Sequence, residues 1–369
     1  MVSPKTRAVL WARGAGRCYY CNTNLIGDYI SGNEDANFGF VAHIVAETPN
    51  GPRGDEVRSP QLADEVSNLM LMCYPHHKLI DVDELANYPE QTLLDMKAKH
   101  EERVAIVTGI TVDRASHVLR YGATIGNHDS PVAFPRVRVA MLPMRYPYQN
   151  QSIGIQIFGS VLTDGEEMFW RTEPENLERQ FEQLVRDRIA SGEITHLSVF
   201  ALGPIPLLVR LGVLLGDIIP ADVYQLHREP AGWQWAENRE HIDFEVVTPA
   251  APAKNIALKL GISATINDDR IISVLGTDTA IWAINAKNPG NDVMRHEDDL
   301  VYFRRLLRTL NNDIKALHGE GHTVHIFPAV PVSVAVEIGR VRMPKADLPL
   351  LIYDQTKAGT PFAPRLTIS

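Results

Sequence analysis

Residues 197–212 read LSVFALGPIPLLVRLG, and residues 324–339 read VHIFPAVPVSVAVEIG. At a constant offset of 127 residues Phe200 meets Phe327, Pro204 meets Pro331, Val209 meets Val336 and Gly212 meets Gly339. Each stretch opens on a short β-rich apolar run, turns at a proline and continues with apolar residues at helical spacing, the pattern of a buried strand feeding a helix. The surroundings match as well. A charged amphipathic helix precedes each (ENLERQFEQLVRDRIAS from Glu175, EDDLVYFRRLLRTLNNDIKAL from Glu297), and a strand follows each, VYQLH from Val223 and LLIYD from Leu350. SIGIQIFGS from Ser152 and NIALKLGIS from Asn255 read as the opening strands of the two copies. Such repetition predicts an α/β domain of two fused Rossmann-like halves.

The 369 residues, 45% apolar and 22% charged, leave room for two or three domains with cores of their own. That composition excludes a disordered, collagen-like or coiled-coil chain. No apolar run approaches the roughly 20 residues a membrane helix needs, and MVSPKTRAVLWARG carries no secretory apolar stretch. A cytoplasmic protein without membrane contact is therefore expected. Composition shifts near residue 110: a helix with Leu93, Leu94, Met96 and Val104 on its apolar face runs from Pro89 to Val107, and the weakly patterned stretch 109–130, ending in GNHDSP, reads as a linker. The expected domains are 1–108 and 131–369, the second dividing into halves of about 131–247 and 248–369. No GxxxxGK[ST] loop or GxGxxG fingerprint occurs, so ATP hydrolysis and NAD chemistry have no support.

All three cysteines, Cys18, Cys21 and Cys73, lie in the first fifth of the chain. An odd number in a reducing compartment argues for a metal or thiolate chemistry rather than a disulfide framework. Cys18-Tyr-Tyr-Cys21 and Cys73-Tyr-Pro-His76 are two knuckles with two-residue gaps, the ligand types and spacing that zinc takes in a closed tetrahedral site. Zinc would then staple together a small loop-rich module, and losing it should unfold residues 1–90.

Ala42-His43-Ile44, Asn68 in SNLMLMC and His77 in CYPHHKLID follow in order between and beside those knuckles. Over residues 15–85 this order resembles the HNH endonuclease family, whose ββα-metal core is a hairpin followed by a helix. The first domain is thus expected to be an α+β, zinc-bound HNH module. The resemblance implies His43 as the general base, Asn68 hydrogen-bonded to the backbone near His43, and His77 as ligand of a divalent ion, magnesium, opposite the scissile phosphate. Asp81, four residues on, would fall on the same helical face and either join that metal or orient the His77 ring. Ala42 stands where many family members carry an acidic ligand, which leaves the second ligand to Asp81 or Glu47. Arg53, in the loop PNGPRGDE, is either a DNA-phosphate contact or a solvated turn residue, and Lys78 is a second DNA-contact candidate.

Residues 130–369, through the VYQLHREPAGWQW and HIFPAVPVSVAVEIGRVRMPK segments, resemble the SAVED domain of bacterial CBASS defence, itself similar to a tandem of CARF sensor modules. An HNH module joined to it resembles the HNH-SAVED effector class. That implies a DNase of antiviral abortive infection that cuts double-stranded DNA only when a cyclic dinucleotide, made by a partner nucleotidyltransferase, is bound. It also implies a homo-oligomer, a dimer or a higher assembly on activation. For the ligand, Trp235, Trp282 and Phe327 are the candidate stacking rings, and Arg228, Lys287, Arg342 and Lys357 the candidate phosphate contacts.

Charge agrees with gating. Residues 1–110 carry 10 basic against 15 acidic side chains and the remainder 26 against 30, so a monomer should hold DNA weakly. The alternatives are a constitutive restriction-type nuclease recognising modified DNA and a non-catalytic zinc module that binds DNA.

Overall fold

A computed structural model describes every residue except 1, 29–32, 111–113, 126–131, 158–161, 237–239 and 356–359. Two units divide the chain, Met1–Thr111 and Val112–Ser369.

The first unit begins with α1 (Pro4–Gly14), whose leading proline and Ser3 cap both favour a helix start; the Ser3 hydroxyl accepts from the Thr6 amide. Strands β1 (Ile26–Asp28) and β2 (Asn33–Asn37) pair antiparallel. β3 (Phe40–His43) pairs antiparallel with β4 (Leu69–Met72), with α2 (Arg58–Leu62) in the connection, and Ala42 lies opposite Met70 and His43 opposite Leu69. β4 leads directly into α3 (Tyr74–Lys78), which continues as a wider helical turn over Leu79–Asp83, and α4 (Glu90–Thr108) closes the unit. The uninterrupted apolar run LMLM is buried throughout. Its core is small: among the described residues twelve buried side chains, including Leu10, Tyr19, Leu25, Ile44, Ile80 and Leu93, gather round β4.

The second unit carries two sheets. In the first half β5 (Ala115–Ala123), α5 (Phe134–Ala140), β6 (Tyr146–Pro147) and β7 (Ile153–Ile157) precede α6 (Glu167–Phe181), α7 (Asp187–Ala190), β8 (Leu197–Leu202), α8 (Ile205–Leu215) and β9 (Ala221–Val223). β5 is parallel to β6, β7 and β8, and β8 is parallel to β9. After the short hairpin β10 (His227–Arg228) and β11 (Ala231–Gly232), the second half contains β12 (Phe244–Val247), β13 (Asn255–Gly261), α9 (Asp268–Leu275), β14 (Thr279–Ala286), α10 (Glu297–His318), β15 (Val324–Ala329), α11 (Val332–Val341), β16 (Leu350–Asp354) and β17 (Ala363–Ile368). Its strand order is β12-β14-β13-β15-β16-β17, with antiparallel edges at β12 and β17 and parallel pairing between. The orders β7-β5-β8-β9 and β14-β13-β15-β16 therefore correspond, and one apolar core extends through both halves.

This pairing corrects three boundaries. The 109–130 stretch is not a linker throughout, because β5 lies inside it as a central strand; its closing residues 126–130 are outside the described set. The polar side chains that weakened its strand pattern find partners elsewhere in the unit. Ser116 hydrogen-bonds His196 and Ser198, the His117 ring stacks on Tyr148, and Arg120 Nε donates to Ser152 Oγ at 2.6 Å. β5, not SIGIQIFGS, is thus the counterpart of NIALKLGIS, while β7 corresponds to β14. The halves also divide before Phe244 rather than after residue 247, since β12 pairs with β14. Downstream, VYQLH is not one strand: Val223 ends β9 and His227 opens the separate strand β10, and Leu350 matches Ala221 in register.

Candidate functional site

Cys18 and Cys21 occupy the turn after α1, while Cys73 and His76 stand at the start of α3. A hydrogen bond from the Tyr19 amide to Leu71 O (2.8 Å) ties the first knuckle to β4, one strand-end away from the second. The four ligand atoms lie within 4.8 Å of one another, with Cys21 Sγ 3.9 Å from Cys73 Sγ and Cys73 Sγ 3.0 Å from His76 Nδ1. Zinc–sulfur bonds of about 2.3 Å in a tetrahedron put neighbouring sulfurs ~3.8 Å apart, so donor set and spacing both fit zinc. The Tyr20 ring stacks on His76 at 4.1 Å, fixing the imidazole from the solvent side.

Beside this cluster His43, Glu47, His77 and Asp81 share a cavity of about 130 Å³ with Val41, Ala46 and Pro52. His43 Nε2 lies 3.0 Å from Ala63 O. A carbonyl only accepts, so Nε2 carries the proton and Nδ1 of a neutral ring keeps the basic lone pair. Asn68 is buried and clamps Val45 in both directions, accepting from its amide and donating to its carbonyl, each at 2.8 Å. The same Nδ2 donates to Leu62 O at 3.2 Å, next to the carbonyl that holds His43. His77 Nε2 is 3.3 Å from Asp81 Oδ2, and Phe40 stacks on the His77 ring.

Arg53 corrects the sequence reading. Its guanidinium, 9% exposed, donates to Ile44 O (2.7 Å), Ile80 O (2.9 Å), His43 O (3.4 Å) and Asp81 Oδ1 (2.5 Å), so four of its five N–H donors are held inside the fold rather than offered to a DNA phosphate. Burial raises the Asp81 pKa, but hydrogen bonds from His77 and Arg53 outweigh it and hold this carboxyl below the usual range. With one oxygen on Arg53 and the other on His77, Asp81 is built to orient that ring. Lys78 forms an exposed ion pair with Asp83 at 2.8 Å.

In the second unit a cavity of about 620 Å³ lies beside β9 and the start of α10, with Arg114, Arg145, Asp222, Tyr224, Trp235 and Glu297 among its lining. Arg145 pairs with Asp222 at 3.0 Å. Burial, with Asp222 nearby, pushes the Glu297 carboxyl up. A second cavity, of about 540 Å³, is lined by five arginines.

The family model described as SMODS-associated and fused to various effectors sensor domain, SAVED, matches residues 177–368, more than half of the chain. The chain belongs to the SAVED family. Among solved structures it is similar to the Acinetobacter baumannii Cap4 SAVED/CARF-domain containing receptor (11% identity, TM-score 0.43, 75% of this chain and 58% of that one). The same receptor with the cyclic trinucleotide 2'3'3'-cAAA gives 10% identity and a TM-score of 0.45 over 75% and 59%. The Moraxella osloensis Cap4 receptor gives 9% and 0.41 over 76% and 58%. The chain thus spans about three fifths of these receptors' length. No curated protein matches it.

Within the SAVED unit, the candidate ligand residues scatter. Trp235 lines the 620 Å³ cavity. Trp282, 3% exposed, is a core side chain whose Nε1 donates to His318, and Phe327 is fully buried, stacked on Tyr353 at 4.5 Å and edge-on to Phe362; neither ring is open to a base. Their strands are buried on both faces, which the apolar runs announced, so an aromatic there is packing. Lys287 pairs with Asp243 in the open, and Arg228 sits exposed on β10 with its amide bonded to Asp292 at 2.9 Å. Arg342 is buried against the arginine cavity, and Lys357 lies outside the described residues. Sequence reading passed over Arg145 and Tyr224, which no motif marks. It also passed over the arginine cavity, although FRRLLR and GRVRM were visible as basic clusters.

Proposed function

We propose that this chain is a cyclic-oligonucleotide-activated, metal-dependent DNA endonuclease of antiviral defence, with an HNH-type module in its first unit and the SAVED unit as its sensor. The observation that carries the nuclease half is the sharing of one small cavity by His43 and His77, with the Asn68 clamp behind one and Asp81 behind the other. In this reading His43 Nδ1 takes the proton of the attacking water, Ala63 O holds the ring in the required tautomer, and Asn68 keeps the strand end and its neighbouring carbonyl in place. His77, turned by Asp81, would hold a magnesium ion, with Glu47 on the cavity wall as a further oxygen donor. A divalent cation there supplies charge neutralisation at the phosphoryl group. The Cys18, Cys21, Cys73 and His76 set would hold zinc and keep α3 in position.

The 620 Å³ cavity suits the messenger: Trp235 and Tyr224 offer rings, Arg114 and Arg145 cations, and Asp222 and Glu297 acceptors for base N–H groups. Cyclic trinucleotides occupy the Acinetobacter receptor, so cyclic di- and trinucleotides both belong in the test. Plasmid nicking with magnesium, with and without such a panel, decides the matter. Cutting only with one ligand present, lost in His43→Ala while ligand binding persists, is the expected result. Cutting without any ligand would replace gating by a constitutive nuclease, and no cutting under any condition would leave a binding module.

A further inference from the structure

Arg304, Arg305 and Arg308 on α10 and Arg340 and Arg342 at the end of α11 surround the 540 Å³ cavity, with Asp217 as its one acidic lining residue. Two nearby carboxylates are already committed. Glu337 pairs with Arg340 (2.7 Å) and Arg304 (3.1 Å), and Asp347 pairs with Arg308 while also accepting from the Met343 amide. Counting both and Asp217, five guanidinium groups still face three carboxylates, in a chain whose net charge is −9. Two arginines make no side-chain hydrogen bond or ion pair among the described residues. Arg305 is exposed and lines the opening. Arg342 is only 6% exposed, and its Nε is buried with no hydrogen-bond partner among the described residues, as is that of Arg340. Capping the last carbonyls of α11 explains Arg308, which donates to Val341 O, but not Arg342. A buried cation short of a counter-charge is costly unless an anion arrives to pair with it.

We propose that this cavity binds a small polyanion carrying two or more phosphoryl groups, at a site that shares no lining residue with the 620 Å³ cavity. Forked guanidinium groups from two helices match the geometry of phosphoryl oxygens, and the volume is that of a small-molecule pocket. The proposal is independent of the nuclease reading. Burial lowers the basicity of Arg342; Asp347 opposes this with a smaller pull, and Arg210 nearby adds least, in the same direction as burial.

Calorimetric titration of the full zinc-loaded chain with inorganic tripolyphosphate, and separately with ATP, at physiological ionic strength tests it. Saturable binding at one equivalent is expected, weakened about tenfold by Arg305→Gln and lost in Arg342→Gln, with Lys315→Gln unchanged. Equal affinity for the two probes assigns the site to phosphoryl groups alone, and tighter ATP binding assigns it to a nucleoside polyphosphate; both uphold the proposal. Should Arg342→Gln fail to fold, Arg305→Gln on the exposed face decides. Absence of saturable binding by either probe, or binding untouched by Arg305→Gln, overturns it. So does a parallel loss of cyclic-oligonucleotide affinity in Arg305→Gln, which would fold the cavity into the messenger's own site.

Discussion

Gly212 and Gly339 meet where α8 crosses α11. A Cβ on Gly212 would stand 1.9 Å from Val336 O, and one on Gly339 2.0 Å from Val209 O, so each glycine receives the other helix's backbone. The contacts are reciprocal, as they must be if the two halves are related by a pseudo-twofold axis through this crossing. Both glycines are members of the 127-residue repeat, which gives that pairing a steric cause.

Gly212→Ala should therefore destabilise the SAVED unit by about 1–3 kcal/mol or more, because backbone cannot yield as a side chain can. Gly290→Ala, where an added Cβ meets nothing within 4 Å, should leave the denaturant midpoint unchanged. Equal midpoints for the two variants would show that the helices part without cost.

Cys21→Ser should release bound zinc and unfold the first unit. Cys21 is exposed and packs little, so the loss must come through the metal. A core of twelve side chains leaves little reserve without it. Metal analysis together with near-ultraviolet circular dichroism of the full chain checks this, and a variant that keeps its fold after the metal is gone would refute the staple.

Arg53→Ala should lower turnover roughly 10- to 100-fold by freeing Asp81 and so the His77 ring, with DNA affinity unchanged. Its acid behaviour is a second readout. Asp81 has a folded pKa below its unfolded value near ~3.9, so its contribution is present above that pH and fades as pH falls through the folded value. The variant should show a shallower acid slope below about pH 4. A drop in DNA binding equal to the drop in rate would return Arg53 to the phosphate-contact role.

His227 is buried with neither ring nitrogen hydrogen-bonded among the described residues, and burial, reinforced by Arg295, pushes its pKa down to about 4. The unfolded chain titrates this group near ~6.5 and so binds more protons between the two values, which means stability falls as pH drops through that window. His227→Phe should flatten the stability of the SAVED unit between pH 6.5 and pH 4, measured by urea unfolding. An unaltered slope would place the acid sensitivity elsewhere.

The repeat made the doubled α/β unit legible, because an apolar run with a proline turn and a helix has few other ways to be buried. Its opening strand escaped notice for the opposite reason: ASHVLRYGA carries Ser, His and Arg whose partners, Ser198, Tyr148 and Ser152, are remote in sequence. The cysteine knuckles and the order His43, Asn68, His77 could be read locally; the four knuckle residues lie together, and His43 and His77 line one cavity while Asn68 bonds the backbone of Val45. Arg53 could not, since its role depends on three carbonyls and a carboxylate that only folding gathers. Trp282 and Phe327 show the limit of residue type alone, as nothing in an aromatic's identity tells packing from platform.

His76 and His77 are neighbours in the chain, yet one turns to the cysteines and the other to the cavity. Each residue of an α-helix advances the direction of its side chain by about 100°. An insertion of a single residue between Cys73 and His76 would swing both imidazoles away from their tasks at once, so this short stretch tolerates changes of side chain far better than any change of length.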